Sequence, residues 1–228
     1  MDICAFTAVC EEDSPWIGQY LDEVERLGVL FAIHLDRCST TVASCLTEHR
    51  SCVGHTKQDD LGVEFTEKHK QGAMDLAAAT GVGWLLSWDI DEVWELSAVE
   101  RLRSLPDADH IQVGYMTLWE DYRHARIDGQ LRNARRVKLY NRQVGLTWKF
   151  MHKVVNGPKP FRDGRPASEH RLASIDLRCL HCGLMTDALR RQHKARWDRV
   201  YTAAVGVNPY GLWDYVLNPD VEPEVVEL

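Results

Sequence analysis

Short apolar runs spaced by helix-length segments constrain this chain more than any other feature. Ile3–Val9 is apolar without a helical period, and Val29–Leu35 and Trp84–Trp88 repeat the pattern. Runs that are apolar throughout suit strands buried on both faces, as in a parallel sheet. Between the first two, Trp16, Ile17, Tyr20, Leu21, Val24 and Leu27 share one face of a helix. Ser14 reads as its N-cap, Pro15 as its first residue and Gly28 as its stop. Beyond a polar, Thr- and Cys-rich stretch come a weak strand at Cys52–His55 and a helix over Glu64–Thr80, closed by Gly81. Ser97 and Glu100 form a capping-box pattern opening a short helix, and His110–Leu118 returns as a strand. This alternation predicts an α/β fold, a mostly parallel sheet with helices on both faces. Ligands of such sheets bind beyond the carboxyl ends of the strands. Asp36 and the run Asp89-Ile90-Asp91-Glu92 both fall at those ends.

The later half is less regular. Val137–Tyr140, Leu146–Phe150 and Ile175–His181 read as strands, and Thr186–Tyr201 as a basic helix capped by Thr186. Gly157–Ala167 holds three prolines and two glycines and reads as a loop. The tail 218–228 is acidic, contains proline, and is expected to be poorly ordered. A run of about 18 apolar residues is lacking, so no membrane span is expected. Met1-Asp2-Ile3 has no basic region ahead of an apolar one, so a secretory signal is not expected. Seven scattered cysteines, an odd number, suggest reduced thiols and a cytoplasmic setting.

Charge is unevenly spread. Between Arg123 and Arg171 there are 13 Lys and Arg against 3 Asp and Glu, a balance of +10 within a chain of net charge −7. Such a block suits an anionic ligand or a solvated face with salt bridges.

Two carboxylates one residue apart at a strand end, Asp89 and Asp91, can reach one hard divalent cation, Mn²⁺ or Mg²⁺, shared with substrate phosphates. With this the chain resembles the family 2 type of GT-A glycosyltransferases over roughly its first 200 residues. The likeness rests on Ile3–Thr7 with Glu11 and the Pro15 helix, on Asp36-Arg37-Cys38-Ser39-Thr40-Thr41, and on Ala79 through Glu92. A fourth block, Leu180–Thr186 with Lys194 and Tyr201, resembles a His-Tyr-Gly-Tyr-Met-Thr segment in one bacterial branch. Arg37, Cys38 and Thr41 depart from that family's Asp, Gly and Asp.

The resemblance implies one GT-A domain over 1–217, with a nucleotide-sugar and metal half at 1–118 and an acceptor half at 119–217. It implies a nucleotide-sugar donor, a UDP-sugar, contacted by Thr7, Glu11, Asp36, Gln71 and Asp89. Asp36 would accept from the N3–H of uracil. The metal would be held by Asp91 and His181, with Asp89 as a further or water-mediated ligand. Inverting transfer needs a base at the acceptor hydroxyl, for which Asp121 comes first, then Glu120 and Asp128. Trp119 would stack on a sugar and Lys194 would face the acceptor. The basic block suggests an acceptor that carries phosphate, either DNA or a phosphate-containing glycan.

Three other readings compete. Asp89-Ile90-Asp91-Glu92-Val93 also fits the nucleophile motif of haloacid-dehalogenase-type phosphatases, although that motif belongs on a first strand. Cys45, His49, Cys52 and His55, or Cys179 and Cys182 around His181, could hold zinc, although neither spacing is a standard one. The basic block could serve a non-catalytic nucleic-acid-binding module, against which stands the acidic first half.

Overall fold

The computed structural model describes residues 1–58, 67–128, 134–142, 146–150, 158–162, 165–166, 170–205, 217 and 222–228. The first half comprises β1 (Ile3–Cys10), α1 (Ile17–Leu27), β2 (Leu30–Asp36), α2 (Thr40–Thr47), β3 (Cys52–Gln58), α3 (Glu67–Ala79) and β4 (Trp84–Ser87). Next come β5 (Glu92–Trp94), α4 (Ala98–Arg101), β6 (His110–Leu118), β7 (His124–Arg126) and β8 (Ala134–Asn141). They are followed by β9 (Leu146–Phe150), β10 (Pro158–Arg162), β11 (Arg165–Pro166), β12 (Leu172–His181), α5 (Asp187–Val205) and β13 (Val225–Glu227).

Strands β3, β2, β1 and β4 lie side by side and all parallel. Their side chains alternate between two apolar clusters, as the two-residue strand period requires. Ile3, Ala5, Val9, Phe31 and Ile33 pack with Tyr20, Val24 and Leu27 of α1. Cys4, Phe6 and Ala32 pack with Ala73, Met74 and Ala77 of α3. Helices thus cover both faces, and the apolar runs are strands because both sides are buried.

Beyond β4 the sheet becomes mixed. β8 inserts antiparallel between β4 and β6, and β6 is followed outward by β7 and β13. β12 runs parallel to β6 and antiparallel to β5. A separate three-stranded sheet joins β9, β10 and β11.

Several expectations need correction. Ser14 is not the helix cap: a 3₁₀ turn spans Glu11–Trp16 with Pro15 inside it, and the α-helix begins at Ile17. The Asp13 carboxylate accepts from the Cys10 amide at 2.9 Å, so the chain winds tightly around that contact first. Gly28 does end α1, with φ of 64° in the left-handed region. The polar stretch after β2 contains α2, capped by Ser39 accepting from the Val42 amide at 3.3 Å. Ser97 makes no capping bond, its hydroxyl donating instead to Glu95 at 2.8 Å, and α4 is a single turn. Within the expected loop 157–167, β10 and β11 are strands, because pairing of β10 with β9 and of β11 with β10 overrides the proline signal; residues 157, 163–164 and 167 lie outside the described residues. The tail is anchored at 225–227 by pairing with β7, while 218–221 lie outside the description, as do 64–66 ahead of α3. Thr186 caps α5 as expected, accepting from the Leu189 amide at 3.3 Å. Among the described residues, no helix is long and apolar enough to cross a membrane.

Candidate functional site

The turn after β4 is built around buried charge. Trp88 is fully buried, and its indole N–H donates to the Glu92 carbonyl at 2.9 Å. Glu92, 0% exposed, accepts from the Asp89 amide at 3.0 Å and pairs with Lys138 of β8 at 2.6 Å through both oxygens. This fixes the backbone so that Asp89 and Asp91 leave the turn at its carboxyl-end rim. Asp89 sits 2.7 Å from Lys70 of α3 and 3.8 Å from Lys138. Burial opposes its ionisation, but the two ammonium groups outweigh that and hold its carboxyl far below the usual range.

Asp91 faces the other way. The antiparallel register of β12 on β5 sets His181 opposite Glu92, and the Cys182 amide donates to the Asp91 carbonyl at 2.8 Å. His181 Nε2 therefore lies 3.1 Å from Asp91 Oδ2. Its ring stacks on Tyr115 of β6 at 5.7 Å, and the Arg136 guanidinium lies 3.7 Å from the Tyr115 ring centre. His193 of α5 comes in edge-on to His181, with ring centres 5.9 Å apart. One donor atom from each of Asp91, His181 and His193 lies within 4.8 Å of the others, the one such group among the described residues. Burial alone would raise the Asp91 carboxyl, yet His181 brings it down to about 2. Burial, with His181 and Arg196 nearby, holds the His193 imidazole down at about 4 despite Asp91. Asp91 is thus held as the carboxylate and His193 as the neutral imidazole, the forms that ligate cations.

The fit to a divalent metal is good for Asp91 and His181, a carboxylate and an imidazole converging at the strand ends. Asp89 does not join them, because Lys70 engages it. The zinc sets do not assemble: Cys45, His49, Cys52 and His55 form no ligand group among the described residues, and neither do Cys179 and Cys182 with His181. Burial pushes the Cys182 thiol up to about 12, which disfavours a ligating thiolate. Asp89 follows the fourth strand and is ion-paired, which ill suits the phosphatase nucleophile.

Of the expected donor contacts, Glu11 and Asp36 stand at the ends of β1 and β2, while Thr7 lies within β1 and Gln71 on α3. Thr7 is buried in β1, its hydroxyl 3.4 Å from the Ala8 carbonyl. Glu11 accepts from the Ser39 amide at 2.7 Å and from its hydroxyl at 3.2 Å. Asp36, level with Cys10 across the strands, is gripped by Arg37 at 3.0 and 2.8 Å. Arg37 adopts φ of 51°, unusual for a side chain of this size. Gln71, next to Lys70, donates to Asp75 at 2.5 Å.

The acceptor-side expectations fare differently. Trp119 is 6% exposed, and the guanidinium carbons of Arg190 and Arg126 lie 3.9 and 4.5 Å from its ring centre. Protein cations therefore occupy the surface that a sugar was expected to take. Asp121 caps a turn, accepting from the amides of Arg123 and His124 at 2.7 and 3.0 Å and approaching His124 Nδ1 at 2.9 Å. Those bonds, the Arg123 amide foremost, lower its pKa and make it a poorer base. Asp128 is held by Arg126 at 2.6 Å. Lys194 pairs along α5 with Asp198 at 2.5 Å. Glu120 is exposed, with φ of 70° and its amide donating to the Met185 carbonyl at 2.7 Å. In the basic block, Arg126 and Lys138 are turned inward, while Arg123, Arg135, Arg136, Arg142 and Arg171 are exposed; much of the block lies outside the described residues. The sequence reading missed Lys70, Lys138 and His193, none of which stands in a recognisable motif, and gave Glu92, inside the acidic run, no role of its own.

No protein-family model matches the chain, and no curated protein does. Solved structures do. TarS residues 1–349 of S. aureus, in complex with UDP-GlcNAc, is 9% identical over 95% of this chain and 70% of that one, with a TM-score of 0.52. HddC from Yersinia pseudotuberculosis is 13% identical over 85% of this chain and 97% of that one, at 0.47. A putative glucose-1-phosphate thymidylyltransferase from Bacillus anthracis is 9% identical over 93% of this chain and 99% of that one, at 0.44. At such identities likeness speaks for architecture alone. With its helix-covered parallel strands extended by a mixed edge, the chain has a GT-A-like, Rossmann-like α/β fold.

Proposed function

We propose that this chain is a metal-dependent glycosyltransferase that moves a sugar from a UDP-sugar to an acceptor hydroxyl, with inversion. The observation that carries this reading is the meeting of Asp91 and His181 at the carboxyl ends of the strands, beside an ion-paired Asp89. A GT-A-like fold similar to TarS, whose structure contains UDP-GlcNAc, supports the choice of donor. Asp91 and His181 would hold Mn²⁺ or Mg²⁺, which when bound supplies positive charge to the leaving diphosphate. Lys70 and Lys138 keep the neighbouring Asp89 ionised and oriented at the rim. Asp36 and Glu11 would frame the base, with Arg37 fixing the Asp36 carboxylate.

Of the acidic residues after β6, Glu120 suits the proton-accepting role better than Asp121, whose oxygens are committed to a turn. We propose an acceptor that carries phosphate, met by the exposed Arg123, Arg135 and Arg142. The reading is tested by a thermal-shift panel of nucleotide sugars with and without Mn²⁺, followed by transfer assays on any donor that stabilises the protein. A UDP-sugar that binds with metal and is turned over supports it. Indifference to every nucleotide sugar would remove it.

A further inference from the structure

We propose that Asp91, His181 and His193 bind a transition-metal ion through three protein ligands, so that the ion is resident before any nucleotide arrives. This deepens the reading of the same site as a donor-metal centre. The argument starts from geometry. Ligand atoms about 2.1 Å from a common ion lie roughly 3–4 Å from one another. Asp91 Oδ2 and His181 Nε2 already stand 3.1 Å apart, and all three donor atoms fall within 4.8 Å. Small side-chain rotations close the set.

Each ligand comes from a different element, Asp91 from the turn before β5, His181 from the end of β12 and His193 from α5. Asp91 is tied through its carbonyl to the Cys182 amide, and His181 stacks on Tyr115. His193 is hydrogen-bonded to the Gly183 backbone. Three residues further along α5, Arg196 reaches the buried Asp13 at 2.8 Å and docks the helix. Such outer contacts set the orientation of ligating groups.

Gly183 gives an independent indication. A Cβ there would collide with Asp91 Oδ2 and come within 2.9 Å of His181 Nε2 and 3.1 Å of His193 Cε1. Its backbone is not in the left-handed region, unlike that of Gly28 or Gly81. What requires glycine here is open space at the point where the three side chains converge.

The donor set also selects the ion. Two imidazoles and one carboxylate suit Mn²⁺, Co²⁺ or Zn²⁺, whereas Mg²⁺ and Ca²⁺ prefer oxygen ligands throughout. An ion held by one carboxylate would depend on the diphosphate for its remaining contacts. Three protein ligands remove that dependence and leave the other coordination positions to substrate.

The test is a titration of chelator-treated, full-length protein with MnCl₂ alone, read by the electron paramagnetic resonance signal of free Mn²⁺ and by thermal shift. Mn²⁺ should bind at about one per chain and raise the melting temperature without nucleotide, whereas equal MgCl₂ should do neither. His193→Gln should weaken Mn²⁺ binding at least about tenfold. Gly183→Ala, which removes no ligand, should weaken it too, and far-UV circular dichroism checks that both variants fold. Mn²⁺ binding that appears only when UDP is added, equal binding of Mg²⁺, or parent-like affinity in His193→Gln would each overturn the proposal. Because the titration contains no nucleotide, failure of the UDP-sugar panel leaves this result standing, and the reverse also holds.

Discussion

The parallel strands β1–β4 and the mixed strands beyond them are stabilised in different ways. In the first region, alternate side chains enter two apolar clusters. In the second, Glu92, Lys138, Arg126 and His110 are all buried, and the sheet is stitched by ions as well as by apolar contact. Apolar burial stabilises at roughly 25 cal/mol per Å² with little demand on direction. A buried ion pair gains little net stability and demands a particular geometry. The region that is expensive to desolvate is therefore the one that sets the positions of Asp89, Asp91 and His181. Stability and chemistry are laid out side by side along one sheet.

The sharpest way to break this comparison is with paired substitutions. Phe6→Ala in the parallel region should cost about 3–5 kcal/mol in urea unfolding, and no second truncation should restore it. Lys138→Ala should cost a similar amount, about 3–5 kcal/mol, by stranding a buried Glu92 carboxylate. Replacing both partners, Glu92→Leu with Lys138→Met, should recover most of that loss, whereas additive losses would show that the pair does not behave as a buried unit. Asp91→Ala and His181→Ala should each abolish metal-dependent transfer while shifting the melting temperature by only a few degrees. Full turnover in either variant would mean the metal is held elsewhere. Asp36→Ala should weaken UDP binding about tenfold or more by calorimetry; parent-like affinity would detach the base from the end of β2. The smallest effect expected is on salt. Arg123, Arg135, Arg136, Arg142 and Arg171 are exposed, and if two of them meet acceptor phosphates, affinity at saturating donor should fall about tenfold between 50 and 200 mM salt. A flat response would return the block to a solvated face.

The same division decides what could be read in advance. β1, β2 and β4 were legible because strands buried on two faces must be apolar throughout. α2 was not, since it buries only Val42 and Leu46, too few to mark a helical period. The prolines at 158, 160 and 166 hid β10 and β11, whose pairing, β10 with β9 and β11 with β10, is a tertiary fact. Asp91 and His181 were visible as strand-end residues, helped by a family likeness. Lys70 and Lys138 were not, because a lysine in a sequence does not disclose which carboxylate it will face. His193 was hidden among Arg190, Arg191, Gln192 and Lys194, where it reads as one more member of a basic helix face. Trp119 misled for the opposite reason: an aromatic beside two acids suggests a sugar platform, and only packing reveals Arg126 and Arg190 at its ring.

The placement of β12 has a consequence for the order in which the molecule is made. β1–β4 can pair as soon as they leave the ribosome and β6 finds β7 and β8 soon after, but β5 waits for β12, whose paired residues lie 85 to 89 positions downstream. Asp91 then meets His181 only after that long loop has closed, and His193 only after α5 has docked. A growing chain can thus bury its first core well before the proposed ligand cluster of Asp91, His181 and His193 exists. Synthesis and assembly of the centre are separated in time, and a nascent chain stalled before residue 181 would carry the two carboxylates of the turn without the imidazoles that meet Asp91.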